Sequence, residues 1–361
     1  MGELKLMKGN EAIAEAAIRA GVDAYFGYPI TPQTEIIEYL MAEKPHERTG
    51  MVVLQAESEI AAINMVYGAA GVGKKAMTSS SSPGISLKME GISYMAGAEL
   101  PAVIVNVARG GPGLGTIQPS QADYFQATKG GGHGDYRMVV LAPASVQEMS
   151  DFVSLAFDLA FKYSNPVMIL SDGVIGQMME KVELKDAVPR WTDEEIKKIS
   201  PWATIGKPKT REHNIITSLD LDSSRQEKHN EKLLAKYNEM RAKEVRFEKI
   251  ECDDDIDYLF VAYGSSARIA QKSIQLLREK GIKVGLFRLI TLFPFPYEEI
   301  EKMSSKVKGI LAVELSAGQM VEDVLLAVKG KVHVEHYGRM GGMIHSPLQV
   351  ANALEKKLIG G

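Results

Sequence analysis

A single cysteine, Cys252, among 361 residues leaves no disulfide framework and no set of thiolates to hold an iron–sulfur cluster. Long apolar runs are also missing, so no segment reaches the length of a membrane span. The opening stretch MGELKLMKGNEA lacks the apolar centre of a secretory signal, and the chain is accordingly expected in the cytoplasm. Positive charge is not in excess: 42 Lys and Arg against 46 Asp and Glu give a net charge of −4, which removes the electrostatic case for nucleic-acid binding. What remains is the ordinary mix of a globular protein, 45% hydrophobic and 24% charged, in a chain long enough for two domains and a third segment. The 18 methionines are scattered and read as fillers of core gaps.

Patterning divides the chain into three parts. In residues 1–185, DAYFGY, MVVLQ, KAMTSS, PAVIVNVA, RMVVLAP and PVMILSD read as strands, apolar on both faces as in a parallel sheet covered by helices on both sides. Between them helices are expected over 32–43, 58–70, 84–98 and 145–163, after a first helix in NEAIAEAAIRAG with Asn10 as its cap and Gly21 as its stop. This is a doubly wound α/β domain. Residues 186–254 are dense in charge and read as a linker with one long helix, anchored by a thin stripe of Leu233, Tyr237 and Met240. Residues 255–361 return to alternation, with strands DYLFVAYG, KVGLFRL, GILAVEL and KVHVEHYG each followed by a helical pattern, the last helix starting from Ser346. They form a second, smaller parallel α/β domain.

Three glycine-rich stretches invite phosphate-binding readings that their contexts do not support. Gly68 to Lys74 matches a P-loop spacing, but Lys75 stands where a hydroxyl is required and the glycines follow a helix rather than a strand; a helix end and turn is the better reading. Gly111, Gly113 and Gly115 follow a strand with the wrong spacing for a dinucleotide fingerprint. Gly264, Ser265 and Ser266 open a helix, where either an anion or an ordinary cap is served.

Ligands of open α/β sheets sit beyond the carboxyl ends of the strands. This sequence places GYPITPQTEI, QAESE, SSSSPGISLKMEG and ARGGPGLGT there: hydroxyls, glycines, acids and one arginine, a set suited to a polar ligand with a carboxylate. Each residue also has a plainer reading. Thr31 before Pro32 could simply cap a helix, and Arg109 could form a surface ion pair, although a charge ending a buried strand suits bidentate contact with a ligand carboxylate. Ser79 to Ser82 could be only a loop. Glu59 falls in a first helical turn, where the dipole favours a carboxylate, yet its helix is apolar all round, and a dry acid needs a partner.

Together GYPITPQTEI, QAESEIAAINMVYGAA, TSSSSPGISLKMEG, VNVARGGPGLGTIQPSQAD, GGGHGDYR and PVMILSDG resemble the 2-oxoacid:ferredoxin oxidoreductases, in order along nearly the whole chain. The resemblance is to the subunit that joins a pyrimidine-binding thiamine diphosphate domain to a transketolase C-terminal-like domain, the latter matched by VAYGSSARIA, RLITLFPFP and GRMGGMIHSP. The linker is similar to the branched-chain type, which acts on 2-oxoisovalerate (3-methyl-2-oxobutanoate). The resemblance implies that Glu59 contacts the ring nitrogen of the aminopyrimidine, that Thr31 and Arg109 hold the substrate carboxylate, and that Pro29, Ile30, Ser81, Ser82, Pro83 and Gly84 line the cofactor. It implies oxidative decarboxylation of a 2-oxoacid, electron transfer to ferredoxin and acyl transfer to coenzyme A. No role carries over to His133 or Asp135, which read as a turn before a strand, or to Asp172, which reads as structural.

The Gly-Asp-Gly motif that holds magnesium and diphosphate is missing, so no metal site is expected in this chain. The resemblance implies partner subunits: one with the Gly-Asp-Gly motif and its Mg2+, a gamma-type subunit and a ferredoxin-like subunit carrying iron–sulfur clusters. The competing readings are a pyruvate or 2-oxoglutarate enzyme of the same family, the β subunit of an NAD-linked 2-oxoacid dehydrogenase or another thiamine-dependent half, and a non-catalytic docking module.

Overall fold

The computed structural model describes residues 3–252 and 255–360; the expected boundary at 254 lies outside the described residues. Its strands are β1 (Glu3–Lys8), β2 (Ala24–Gly27), β3 (Val52–Gln55), β4 (Ala76–Ser80), β5 (Ala102–Ala108), β6 (Val139–Leu141) and β7 (Pro166–Asp172). They continue with β8 (Met179–Leu184), β9 (Phe247–Ile250), β10 (Tyr258–Tyr263), β11 (Val284–Leu289), β12 (Thr291–Phe293), β13 (Gly309–Glu314) and β14 (His333–Gly338). The larger sheet has the order β12-β6-β7-β5-β4-β2-β3, and all its pairings are parallel except β12 with β6. Every residue of β5 and β7 is buried, which is why both read as unbroken apolar runs. From β2 the chain steps outward to β3 and then returns across to β4, so the strand order reverses between β2 and β4. That reversal opens the crevice where open sheets bind ligands.

The smaller sheet, β14-β13-β10-β11-β9, has four parallel strands and an antiparallel edge, β9. The expected strands and their helices are present in both sheets. Other elements depart from the sequence reading. β1 and β8 pair as a separate antiparallel ribbon. The charged segment holds more than its long helix, Ser223–Lys243, in which Leu233, Tyr237 and Met240 are buried. It also forms a helix at Asp193–Ile199, closed by a Thr192–Glu195 capping box, and supplies β9 to the smaller sheet. Asn10 is not a cap: it is the second residue of the helix Gly9–Arg19, and its Nδ2 donates to Pro32 O at 2.7 Å and Glu35 Oε2 at 3.0 Å.

The two sheets are tied by backbone and side chain. β12, which follows β11 in the second half of the chain, adds to the larger sheet beside β6. Gln121, 2% exposed, donates from its backbone N–H to Leu315 O (2.9 Å) and from Nε2 to Tyr263 O (2.9 Å), while its Oε1 accepts from Ser266 Oγ (2.8 Å) and Leu315 N (2.9 Å). Ser265 Oγ donates to Asp172 Oδ2 at 2.6 Å. Ser265 and Ser266 therefore bind across the seam rather than capping their helix, whose N-cap is Tyr263. Asp172 caps the short helix Gly173–Gln177 through Val174 N and Ile175 N. Among the described residues no helix is long and apolar enough to cross a membrane.

Candidate active site

The carboxyl ends of β2, β4 and β5 meet at the reversal. After β2, Pro29 and Ile30 are half-buried and Thr31 is exposed. Thr31 is not a cap, because the helix begins at Thr34 with Gln33 at the N-cap position. Its carbonyl accepts Arg109 Nη1 at 3.0 Å, and its exposed side chain is left on the solvent side of the crevice. Arg109, 7% exposed at the end of β5, also donates from Nη2 to Leu114 O at 2.9 Å, and its Nε is buried without a partner. It forms no ion pair with a carboxylate of the described residues, so the surface-pair reading does not hold.

The four serines after Thr78 divide into two kinds. Ser79 Oγ is committed, taking the Tyr25 hydroxyl at 2.5 Å and donating to Gln33 Oε1 at 2.5 Å. Ser82 Oγ accepts the Arg109 N–H at 3.0 Å and donates to Asp123 Oδ2 at 2.6 Å. Ser80 Oγ and Ser81 Oγ are buried with no partner. Ser81 is the N-cap of the helix Ser82–Gly97 yet makes no capping bond, whereas Ser58, Ser145 and Ser346 at other N-caps do.

Glu59 opens the helix Glu59–Gly71, whose N-cap Ser58 accepts from Ala61 N at 3.2 Å. It is 6% exposed, and among the described residues its carboxylate has neither a hydrogen bond nor an ion pair. Glu57 differs: it is exposed and accepts the Ser58 hydroxyl at 2.7 Å. The Glu59 side chain crosses Gly84, where an added Cβ would lie 2.6 Å from Oε1 and 2.0 Å from Ser80 Oγ. Only glycine leaves the carboxylate and the free hydroxyl room at that spot. The helix is apolar all round, as its sequence indicates, but it is not buried all round, because Ile60 and Met65 are 50% and 37% exposed.

A cavity of about 390 Å³ lies over the Ser82 helix start, lined by Arg109, Asp123, Pro83, Leu315 and Met340 among others, so both sheets contribute to it. Burial pushes the Asp123 carboxyl up, and hydrogen bonds from Ser82 and Asn106 offset part of that. The 390 Å³ cavity is lined by Arg109 but by neither Thr31 nor Glu59, and a larger cavity of about 680 Å³, lined by Arg137, Arg241, Phe293 and Tyr297, is lined by none of the three.

Residues 15–248 match the thiamine-diphosphate-binding model of the pyruvate flavodoxin/ferredoxin oxidoreductases, and 256–350 match core domain II of pyruvate:ferredoxin oxidoreductase. The chain belongs to this oxidoreductase family. It is 48% identical over 98% of its length to ketoisovalerate oxidoreductase subunit VorB of Methanothermobacter thermautotrophicus, covering 96% of that protein. It is 42% identical to 2-oxoglutarate synthase subunit KorA of Archaeoglobus fulgidus, over 89% of this chain and 91% of the other. Among solved structures it superposes with a TM-score of 0.85 and 27% identity on 2-oxoglutarate:ferredoxin oxidoreductase from Magnetococcus marinus, which has 2-oxoglutarate, coenzyme A and succinyl-CoA bound; 99% of this chain covers 66% of that one. A split-gene transketolase, at 13% identity and a TM-score of 0.59, shares the fold.

The residues present fit the aminopyrimidine end of the family's cofactor. A buried acid without a partner, two buried hydroxyls without partners and a glycine cradle are what a polar heterocycle would complete. Sequence reasoning missed Lys88, Asn106 and Asp123. Lys88 was legible as the residue four beyond Gly84, hence on the same helix face. His133 and Asp135 stay in the exposed turn before β6, where His133 O accepts Ser93 Oγ at 2.6 Å.

Proposed function

We propose that this chain is the subunit of a CoA-acylating 2-oxoacid:ferredoxin oxidoreductase that holds the aminopyrimidine half of thiamine diphosphate and the carboxylate of the 2-oxoacid, with 2-oxoisovalerate as the substrate. The observation that carries the reading is the buried, unpartnered Glu59 carboxylate at the strand-order reversal. Thiamine diphosphate, when bound, would supply a nucleophilic thiazolium carbon for the 2-oxo carbon and an electron sink for the pair left by loss of CO2. Glu59 holds or takes a proton at the pyrimidine ring nitrogen, and Ser80 and Ser81 offer hydroxyls to the polar edge of the ring. Arg109, braced by Thr31 O and Leu114 O, presents its remaining donor capacity to the substrate carboxylate.

Substrate choice follows from the cavity. Among the described residues that line it, Arg109 is the only cation, and Pro83, Pro112, Leu315 and Met340 make much of the wall apolar. One carboxylate finds a cation there; the second carboxylate of 2-oxoglutarate would find no second cation, only neutral groups such as the serine hydroxyls and Gln319, the Asp123 carboxylate and apolar surface. This favours a branched aliphatic 2-oxoacid over 2-oxoglutarate, in line with the name of the 48%-identical relative.

The reading places the magnesium–diphosphate half and the iron–sulfur clusters in partner subunits, and ferredoxin as acceptor places the work in the cytoplasm. The elements that carry the site expose apolar side chains: Val52 and Leu54 on the edge strand β3, Ile60 and Met65 on the Glu59 helix, and Leu87 on the next. A partner seated there would complete the cofactor site and cover them. The chain divides, on this reading, at 185 and 254 into cofactor domain, linker and transketolase C-terminal-like domain. The test is reconstitution with partner subunits and comparison of 2-oxoisovalerate, pyruvate and 2-oxoglutarate at equal concentration. Preference for 2-oxoisovalerate with tolerance of pyruvate is expected, since one methylene is worth about 1–3 kcal/mol in such pockets; preference for 2-oxoglutarate would remove the substrate assignment.

A further inference from the structure

Lys88 is fully buried, at 0% exposure, in the helix Ser82–Gly97 that carries the serine and glycine edge of the site. A lysine is almost never buried without a paired charge. Its ammonium has three N–H donors, and the structure offers two neutral acceptors: Thr78 Oγ1 at 3.1 Å and the main-chain oxygen of Glu59 at 3.4 Å. The Glu59 carboxylate lies beyond ion-pair distance of it. For packing alone, methionine would fill the same volume without the cost of burying a charge.

We propose that Lys88 is a positioning residue for Glu59: its buried ammonium is the countercharge of the Glu59 carboxylate and pins the first turn of the Glu59 helix through the glutamate's own main-chain oxygen. The proposal rests on the reading that Glu59 contacts the aminopyrimidine. Two residues on facing helices then act as one unit, with Lys88 behind the acid and the cofactor in front. Burial lowers the Lys88 ammonium to about 8, and the charge of Glu59 acts in the opposite sense. Other ionisable groups on the neighbouring elements are turned elsewhere. β4 gives only the Thr78 hydroxyl, β5 carries no ionisable side chain, and Asp172 at the end of β7 is held by Ser265. Tyr67 on the Glu59 helix is half-buried, and Glu90 on the Lys88 helix is exposed and accepts the Tyr94 hydroxyl.

The proposal is tested first on the isolated full chain, without cofactor, by following the Lys88 side-chain nitrogen by NMR through a pH titration, its signal assigned by loss in Lys88→Met. A midpoint near 8 is expected, falling by about one unit or more in Glu59→Gln; an unchanged midpoint overturns the countercharge. In the reconstituted complex loaded with thiamine diphosphate, Lys88→Met is expected to slow exchange of the thiazolium carbon proton about tenfold with the 2-oxoacid KM unaltered, a smaller effect than removing the acid itself. An unchanged exchange rate overturns the positioning role. Should Lys88→Met fail to assemble, the wild-type exchange rate must fall with the midpoint seen by NMR, and a flat alkaline profile overturns it equally. Normal exchange in Glu59→Gln would strike the proposed function and leave the NMR coupling standing. Slow exchange in Glu59→Gln with normal exchange in Lys88→Met would strike only the role of Lys88.

Discussion

Glu59 and Glu314 are both buried carboxylates at the carboxyl end of a parallel sheet, one in each half of the chain, and their surroundings are opposite. Glu314, the last residue of β13 and 0% exposed, accepts from Ser316 Oγ at 2.6 Å and from the amides of Gln319, Met320 and Val321 at 3.0–3.1 Å. It closes the start of the helix Met320–Val328 and leaves nothing for a ligand. Glu59 stands in the first turn of its own helix, and its carboxylate accepts from none of the described residues. The serines repeat the contrast: Ser265 and Ser266 are spent on the seam, while Ser80 and Ser81 are buried and free. A buried polar group that is satisfied builds the fold; one that is not awaits a partner. The unsatisfied buried groups of this comparison lie in the first half of the chain and the satisfied ones in the second.

The largest expected effect that separates the two acids is on turnover. Glu59→Gln should lower the activity of the assembled complex by about 10²–10⁴-fold and leave thermal unfolding of the isolated chain nearly unmoved. Glu314→Gln should do the reverse in the isolated chain. It turns an amide donor toward a ring of donors and costs about 3 kcal/mol of stability, read as a lower denaturant midpoint. Equal losses of stability in both variants would erase the distinction. Arg109→Ala comes next: losing one charge-assisted contact should raise the 2-oxoacid KM by roughly tenfold to a hundredfold, or about 1.5–3 kcal/mol, with cofactor affinity little changed. Unaltered 2-oxoacid kinetics would remove Arg109 from the site.

The smallest effect is a gain. Because the folded Lys88 ammonium sits at about 8, below the ordinary 10.5, the cost of burying its charge is present below pH 8 and is relieved as pH rises from about 8 to 10.5. That shift corresponds to about 3 kcal/mol, part of which is offset by the hydrogen bonds Lys88 makes. Lys88→Met should therefore stabilise the isolated chain at neutral pH by about 1–2 kcal/mol, and the advantage should shrink toward pH 10. A loss of stability at pH 7 would show that Lys88 serves the fold rather than the site.

Much of the fold was legible because the central strands of both sheets are buried on both faces: β5, β7, β10 and β13 are apolar runs between clear helix signals. β9 and β12 were not, because each is three or four residues long and pairs with a strand far away in sequence. β1 and β8 alternate with exposed charges, as edge ribbons do, and their pairing depends on partners more than 170 residues apart. At the site, Glu59 and Arg109 were legible as charges in apolar surroundings. Thr31 looked like a cap because a threonine before proline commonly is one; only the fold shows that it lies ahead of the helix and that its carbonyl braces Arg109. Lys88 was missed although its spacing of four from Gly84 puts both on one face of the helix, because SLKMEG alone does not show that this face is buried.

On the proposed function, the Glu59 carboxylate has no hydrogen bond within the chain because it serves the aminopyrimidine. The most direct measurement is exchange of the thiazolium carbon proton into deuterated water, in complexes reconstituted with wild-type chain and with Glu59→Gln. An exchange rate about 10²–10⁴-fold slower is expected in the variant, with subunit association intact. Near-normal exchange in an intact Glu59→Gln complex would contradict it.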